Sequence, residues 1–253
     1  QDGFYLNNIL TKKGLEVIRI SRSNDNSIDI SDFTAVKKLI QFHKPNYIFH
    51  FAANSTASHA ALFDNHNAIS TATINILEAV KQISPATKIF LSGSGLQFIN
   101  KNIPIKETDP FEASSAYSIA RIHSVYAARY YRSLGIKVYV GYFFNHDSPL
   151  RTERHMTKKI AVAAQRFGNG LNEKLEIGDM SVIKEYGYAG DIVNGIWTLV
   201  NQDKIYDANI GTGKGYSIKD WLVLCFELVN KNWETYIIIK NGFNSEYQKI
   251  ASD

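Results

Sequence analysis

Residues 47–55 read Tyr47-Ile48-Phe49-His50-Phe51-Ala52-Ala53-Asn54-Ser55. The first five make a nearly continuous apolar run, the pattern of a strand covered on both faces of a sheet. The flanks supply the covering helices. Upstream, Asp32-Phe33 opens a helical pattern with apolar positions Val36, Leu39 and Ile40, and Pro45 ends it. Downstream, a helix through Thr73-Ile74-Asn75-Ile76-Leu77-Glu78-Ala79-Val80 leads to the strand Lys88-Ile89-Phe90-Leu91-Ser92. A long helix from Tyr117 to Leu134 precedes a further strand, Lys137 to Phe144. Near the start, Gly14 turns the chain into Leu15-Glu16-Val17-Ile18-Arg19-Ile20, which also reads as a strand. Strands alternating with helices imply right-handed crossovers and a doubly wound, mostly parallel sheet. The fold class is α/β.

Composition narrows the function classes. At 253 residues, 45% hydrophobic and 21% charged, the chain is globular, either one large domain or a domain plus a lobe. Twenty-eight Lys+Arg against 24 Asp+Glu leave a net charge of +4. That excess, with no basic stripe or aromatic platform, argues against nucleic acid and leaves room for a small anionic ligand. The single cysteine, Cys225, lies in the apolar run Trp221 to Phe226. It excludes a disulfide framework and a cysteine-based zinc site, and reads as a small buried hydrophobe on a helix. No metal site is expected. No apolar run approaches the ~18 residues of a membrane helix, and no basic-then-apolar leader opens the sequence, so the expected location is cytoplasmic.

After Asn145 the texture changes, with polar loops at 146–154 and 168–173 between shorter elements. Residues 1–145 therefore read as a dinucleotide-binding domain. Residues 146–253 read mainly as a substrate-binding lobe, with some segments returning to the sheet. Such a lobe would cover the sheet's carboxyl edge, where open α/β sheets bind ligands.

Several residues on that edge could carry chemistry. Gly3, before what could be a short helix, fits either the last glycine of a phosphate-cradling turn or a plain turn. The tip of the strand from Leu15, Ile20-Ser21-Arg22-Ser23, holds Arg22 and no acid. An arginine there suits the 2′-phosphate of NADP, but it also fits a solvated cation. Ala52 and Ala53 at a strand's end admit a flat cofactor, or simply tight helix packing. The sharpest combination is Ser92 and Ser94 at a strand's end with Tyr117 and Arg121, which share a helix face four residues apart. A phenol acts as acid or base near neutral pH only beside positive charge, which Arg121 supplies. A serine hydroxyl could orient a substrate hydroxyl beside that pair.

These segments, in this order, resemble the extended short-chain dehydrogenases, and most of all the GDP-mannose 4,6-dehydratases. Gln1-Asp2-Gly3 resembles their phosphate turn, and Phe144-Asn145-His146-Asp147-Ser148-Pro149 their phenylalanine-asparagine-histidine-glutamate-serine-proline segment. Thr157-Lys158-Lys159-Ile160 and Lys184-Glu185-Tyr186-Gly187 resemble two later motifs. The resemblance runs from residue 1 to about Tyr236 and implies a Rossmann-like sheet. It also implies roles. Gly3, Arg22, Asp29, Ala52, Ala53, Ser55, Tyr117 and Arg121 would line NADP, with NAD as the other possibility. Tyr117 would exchange a proton with the sugar 4-hydroxyl as hydride passes. Asn145, Lys159 and Lys184 would hold the diphosphate of a nucleotide sugar, GDP-linked by analogy. Arg151 would fall near the cofactor or a neighbouring subunit of a homo-oligomer; Tyr130, Tyr131 and Arg132 on the long helix could serve its interface or equally be a wet face.

Two departures from the family pattern matter. Arg121 stands where the family has lysine, and its planar fork is no copy of a compact ammonium. Gly93 stands at the catalytic threonine's place, with Ser94 as the substitute hydroxyl. Gly95 stands at the glutamate that moves protons during water loss. The expected activity is therefore reductase or epimerase chemistry at sugar C4. A true dehydratase, or a binding module with impaired catalysis, are the alternatives. For a module, restoring Gly93→Thr, Gly95→Glu and Arg121→Lys together is expected to create activity. The resemblance also places residue 1 inside the phosphate turn. A first strand before it and a closing segment after residue 253 are expected, so 253 is a lower bound on length.

Overall fold

The computed structural model describes residues 1–21, 28–54, 56–240 and 247–253. Arg22 and Ser55 lie outside the described residues. The elements in chain order are α1 (Asp2–Lys12), α2 (Phe33–His43), β1 (Tyr47–His50), α3 (Leu62–Asn65), α4 (Ala72–Ile83) and β2 (Lys88–Ser94). They continue with α5 (Ala116–Ser133), β3 (Val138–Phe143), β4 (His146–Asp147), α6 (Met156–Gly168), β5 (Leu175–Ile177), β6 (Ile183–Glu185) and β7 (Gly187–Tyr188). The last are α7 (Ala189–Val200), β8 (Asp207–Ile210), β9 (Gly215–Ser217), α8 (Ile218–Glu227), β10 (Ile237–Ile239) and β11 (Lys249–Ile250).

The central sheet is parallel in the order β1-β2-β3-β8. Period-two alternation splits its side chains between two cores. Ile89, Leu91, Val138 and Val140 face α2, α4 and α5, packing with Val36, Ile40, Leu77, Val80, Val125 and Ala128. Phe90 and Tyr139 face the other way, onto Leu6 and Leu10 of α1 and Ile192, Val193 and Ile196 of α7. Helices on both faces make the fold the doubly wound α/β class that the alternation implies. Local signals set the boundaries. The Asp32 carboxylate caps α2 by accepting from the Thr34 and Ala35 amides at 2.8 and 3.3 Å. Lys44, in the left-handed region at φ 42°, ends that helix directly before Pro45. Gly14 at φ 75° closes α1, a conformation glycine adopts without strain.

One expected strand is absent. Leu15 to Ile20 form no ladder, and Leu15 and Ile18 are 39% and 40% exposed. A strand requires a partner to take its amides and carbonyls, and no described strand pairs with this segment. The three candidate surface residues on α5 differ in their surroundings. Tyr130 is exposed, but Tyr131 is buried with its hydroxyl on Glu78 at 2.7 Å. Arg132 is tied inward to the Val138 carbonyl at 2.6 Å and to Asp207. Two of the three residues therefore serve the protein's own packing.

A third core gathers Ile160, Ala164 and Phe167 of α6, Leu175 and Ile177 of β5, and Leu222, Cys225 and Phe226 of α8. Cys225 is buried on a helix, as its sequence context suggests, and burial pushes its thiol up to about 11. α7 and β8 meanwhile return to the main sheet. Among the described residues no helix is long and apolar enough to cross a membrane.

Candidate functional site

The site forms where the parallel strands end. β2 carries Ser92, Gly93 and Ser94 to that edge, and α5 starts nearby with Ser115 as its cap, its hydroxyl accepting from the Ser118 amide at 3.1 Å. This start brings Tyr117 and Arg121 together as the i,i+4 spacing requires. The Arg121 guanidinium lies over the half-buried Tyr117 ring, 5.0 Å from its centroid. Arg121 itself is only 4% exposed. Its Nη1 donates to the Ser92 hydroxyl at 2.8 Å and also to the Ser92 carbonyl. The guanidinium is therefore bound to the end of β2.

Ser92 in turn donates to the His50 carbonyl at 3.1 Å, which joins the ends of β1 and β2. His50 escapes sequence reasoning because it is one residue in an apolar run. In the fold it is buried, and burial, then the nearby Arg121 charge, lower its imidazole to about 4. The sign for stability follows. Unfolding lets His50 bind a proton below its ordinary value of about 6.5, whereas the folded ring stays neutral down to about 4. Its contribution is complete above the upper value and is lost progressively as pH falls to the lower one, by roughly 3 kcal/mol at most. Urea unfolding from pH 7 to 4 should show this loss, and His50→Asn should flatten it. An unchanged slope in the variant would remove His50 as the cause.

Ser94 has a structural task. Its hydroxyl accepts from the Leu96 amide at 3.2 Å while the Gln97 side chain accepts from the Ser94 amide at 2.9 Å, a reciprocal cap on the turn 95–97. The two glycines are packed against rings. A Cβ on Gly93 would sit 2.6 Å from Cδ1 of Tyr142, and one on Gly95 would sit 2.8 Å from Cε1 of Phe144. Tyr142 and Phe144 are both buried.

The remaining candidates divide into two groups. Gly3 lies exposed in the first turn of α1, where an added Cβ would meet nothing within 4 Å. Ala52 is exposed and Ala53 half-buried just past β1. Asp29 is exposed, with its carboxylate accepting from the amide and hydroxyl of Ser31 at 2.9 and 2.7 Å. The second group lies around a cleft of about 100 Å³ whose walls include Asn145, Arg151, His155, Lys184, Tyr186 and Trp221. Asn145 and Lys184 meet there as their motifs suggest. Lys159 does not line the cleft; its Nζ lies 3.5 Å from the Glu176 carbonyl.

Other features of the cleft are tertiary in origin. Trp221 stacks on Tyr186 with centroids 5.4 Å apart and planes 11° from parallel, and its indole donates to the Thr157 carbonyl at 3.1 Å. Arg151 pairs with Asp147 at 3.2 Å and donates to the His146 carbonyl at 2.8 Å. The His146 ring meets the Asp2 carboxylate at 2.9 Å. Burial works to raise the Asp2 carboxyl, but the His146 hydrogen bond and charge win and hold it below the usual carboxylate range. A flat aromatic wall beside Arg151 and Lys184 suits a ligand with a planar face and an anionic group.

Known proteins resemble this chain in sequence and in fold. A family model described as GDP-mannose 4,6 dehydratase matches residues 1–251. GDP-mannose 4,6 dehydratase 1 of Arabidopsis thaliana is 28% identical over 274 residues, covering 96% of this chain and 76% of that protein. The fold superposes on UDP-glucose 4-epimerase from Thermus thermophilus in complex with NAD, with a TM-score of 0.81, 18% identity, and 100% and 87% of the two chains covered. It also superposes on RMD from Pseudomonas aeruginosa complexed with NADPH, with a TM-score of 0.86, 17% identity, and 100% and 86% covered.

Proposed function

We propose a function from one premise: the chain belongs to the GDP-mannose 4,6-dehydratase family. It is a nucleotide-sugar enzyme that moves hydride at sugar C4, as a reductase or epimerase, without removing water. The observation that carries this reading is the pair of facts at the end of β2. Tyr117 stands beside the Arg121 cation, while position 95 is a glycine pressed against Phe144. A proton can be exchanged at the C4 oxygen. No carboxylate stands at 95 to move one at C5 or C6.

The residues present suit a nicotinamide dinucleotide. Open space around Gly3 lets the first amides of α1 approach a pyrophosphate, and exposed Ala52 leaves room past β1 for a flat ring. NADP is the form proposed, on the strength of Arg22, with NAD as the second choice. When bound, the cofactor supplies or accepts the hydride. Tyr117 gives its phenolic proton to the C4 oxygen of a 4-keto sugar, producing the alcohol, and regains a proton from water. Asn145, Lys184 and Arg151 hold the diphosphate, and the Tyr186–Trp221 stack presents a planar surface. Lys159 contributes charge from outside the cleft wall. The proposed setting is a cytoplasmic homo-oligomer.

The test is incubation with NADPH and GDP-4-keto-6-deoxymannose. Expected are NADPH oxidation and a new 4-hydroxy sugar, with Tyr117→Phe at least ~100-fold slower. GDP-mannose with NADP should yield no 4-keto product. A second reading has its own support. Because Arg121 is held by Ser92, the chain could bind both nucleotides without turning them over. Binding of both by calorimetry with no NADPH oxidation would establish that reading and overturn the first.

A further inference from the structure

We propose that His146 couples the two halves of the site, so that a nucleotide bound at one half strengthens binding at the other. The inference rests on the function proposed above. His146 is 7% exposed and sits in β4, directly after the Phe144-Asn145 end of β3. Its Nδ1 lies 2.8 Å from the Phe144 carbonyl oxygen, and its Nε2 lies 2.9 Å from the Asp2 carboxylate. Each ring nitrogen thus faces an oxygen of a different segment, one on the strand end and one on α1.

Gln1 adds two more ties between the same segments. Its Nε2 donates to the His146 carbonyl at 3.2 Å, and its Oε1 accepts from the Ser148 hydroxyl at 2.9 Å. The first turn of α1, proposed to face the cofactor, is therefore fastened to 146–148 by three hydrogen bonds. On its other side this segment builds the cleft. The His146 carbonyl also accepts from Arg151, Asp147 pairs with Arg151, and β4 pairs with β7 in the register His146↔Gly187, immediately after Lys184 to Tyr186.

Between β3 and α6 the two residues of β4 are the only regular structure. The rest of 145–155 is held by these ties together with its own turns, such as the Arg151 amide on the Ser148 carbonyl at 3.1 Å. A ligand that immobilises Gln1 and Asp2 also immobilises the segment through His146, so a second ligand meets a wall whose ordering cost is already met. Linkage makes the effect reciprocal. Gln1 and Asp2 are not cleft residues, so their substitution interrupts the tie and leaves the lining of the cleft in place.

The experiment is calorimetric titration of GDP into the protein, with and without saturating NADP. In the unmodified protein NADP should tighten GDP roughly 5-fold or more, the lower end of ordinary allosteric coupling. In Asp2→Ala, titrated with each nucleotide alone to fix its own affinity and then with NADP held at saturation for the variant, NADP should change the GDP affinity by less than about 2-fold. His146 also lines the cleft, so His146→Gln should lower the GDP affinity itself as well as lose the coupling, and a circular-dichroism melt reports whether each variant is folded. If both nucleotides bind but do so independently, or if the coupling survives in folded Asp2→Ala, the inference is wrong and the proposed function stands. If neither nucleotide binds, both are wrong.

Discussion

Gly93→Thr should destabilise the protein by about 3 kcal/mol, because the new side chain must enter space that a buried ring already fills. Its Cβ alone would stand 2.6 Å from Tyr142 and 3.1 Å from the side-chain Oε1 of Gln97, and threonine adds two further atoms. Tyr142 cannot swing aside. It is fully buried and packs edge-on against Phe98, with ring centroids 4.8 Å apart. For a chain of this size the melting temperature should fall by roughly 6–12 °C. Tyr142→Leu should relieve the clash, so the double variant should be more stable than the sum of the single losses by about 1 kcal/mol or more. Gly95→Glu faces the same obstacle at Phe144. Restoring Gly93→Thr, Gly95→Glu and Arg121→Lys together should therefore cost the fold before it gives activity. A triple variant that melts within about 2 °C of the original and forms a 4-keto sugar would show that these positions are open after all.

Glu185→Ala should cost about 4 kcal/mol, measured by urea or thermal unfolding, since each buried donor left without its acceptor costs roughly 1–3 kcal/mol. The carboxylate is fully buried and no cation pairs with it in the described residues. It accepts from the Ser252 amide and hydroxyl at 2.6 and 2.7 Å, and from the amide of Thr212 and its hydroxyl, the latter at 3.1 Å. One side chain thus fastens β6 to the turn after β8 and to the end of the described chain. Glu185→Gln keeps one acceptor oxygen but turns an amide donor toward donors, so about half the loss should remain. Because Lys184 and Tyr186 flank Glu185 and line the cleft, the alanine variant should also weaken GDP binding. A loss under about 1 kcal/mol would mean that water replaces the carboxylate at these donors.

Legibility from sequence differs from residue to residue, for physical reasons. The Tyr117–Arg121 pair is legible because helical spacing alone puts the two on one face. Asn145 and Lys184 are legible as motif members, and the fold carries both to one cleft. Lys159 belongs to a motif too, but its position on α6 turns the ammonium toward the Glu176 carbonyl. The strand expected at 15–20 does not form, because alternating apolar residues specify a strand only when a neighbour completes the ladder. His50 and Trp221 escape sequence reasoning because burial and stacking come from residues distant in the chain. The same is true of the roles of Ser94 and Arg121. Their types suggest catalysis, whereas their neighbours also give them tasks as a cap and as a bond across the ends of two strands.

By itself the sequence determined the α/β class, the family and the absence of a carboxylate at position 95, because each depends on periodicity or residue identity along the chain. The tertiary structure alone decided that Gly93 and Gly95 are filled against Tyr142 and Phe144, that Arg121 is held by Ser92, and that His146 joins Asp2 to the cleft. Those facts depend on which surfaces come within a few ångströms of one another, and close packing settles that only when the whole chain has folded.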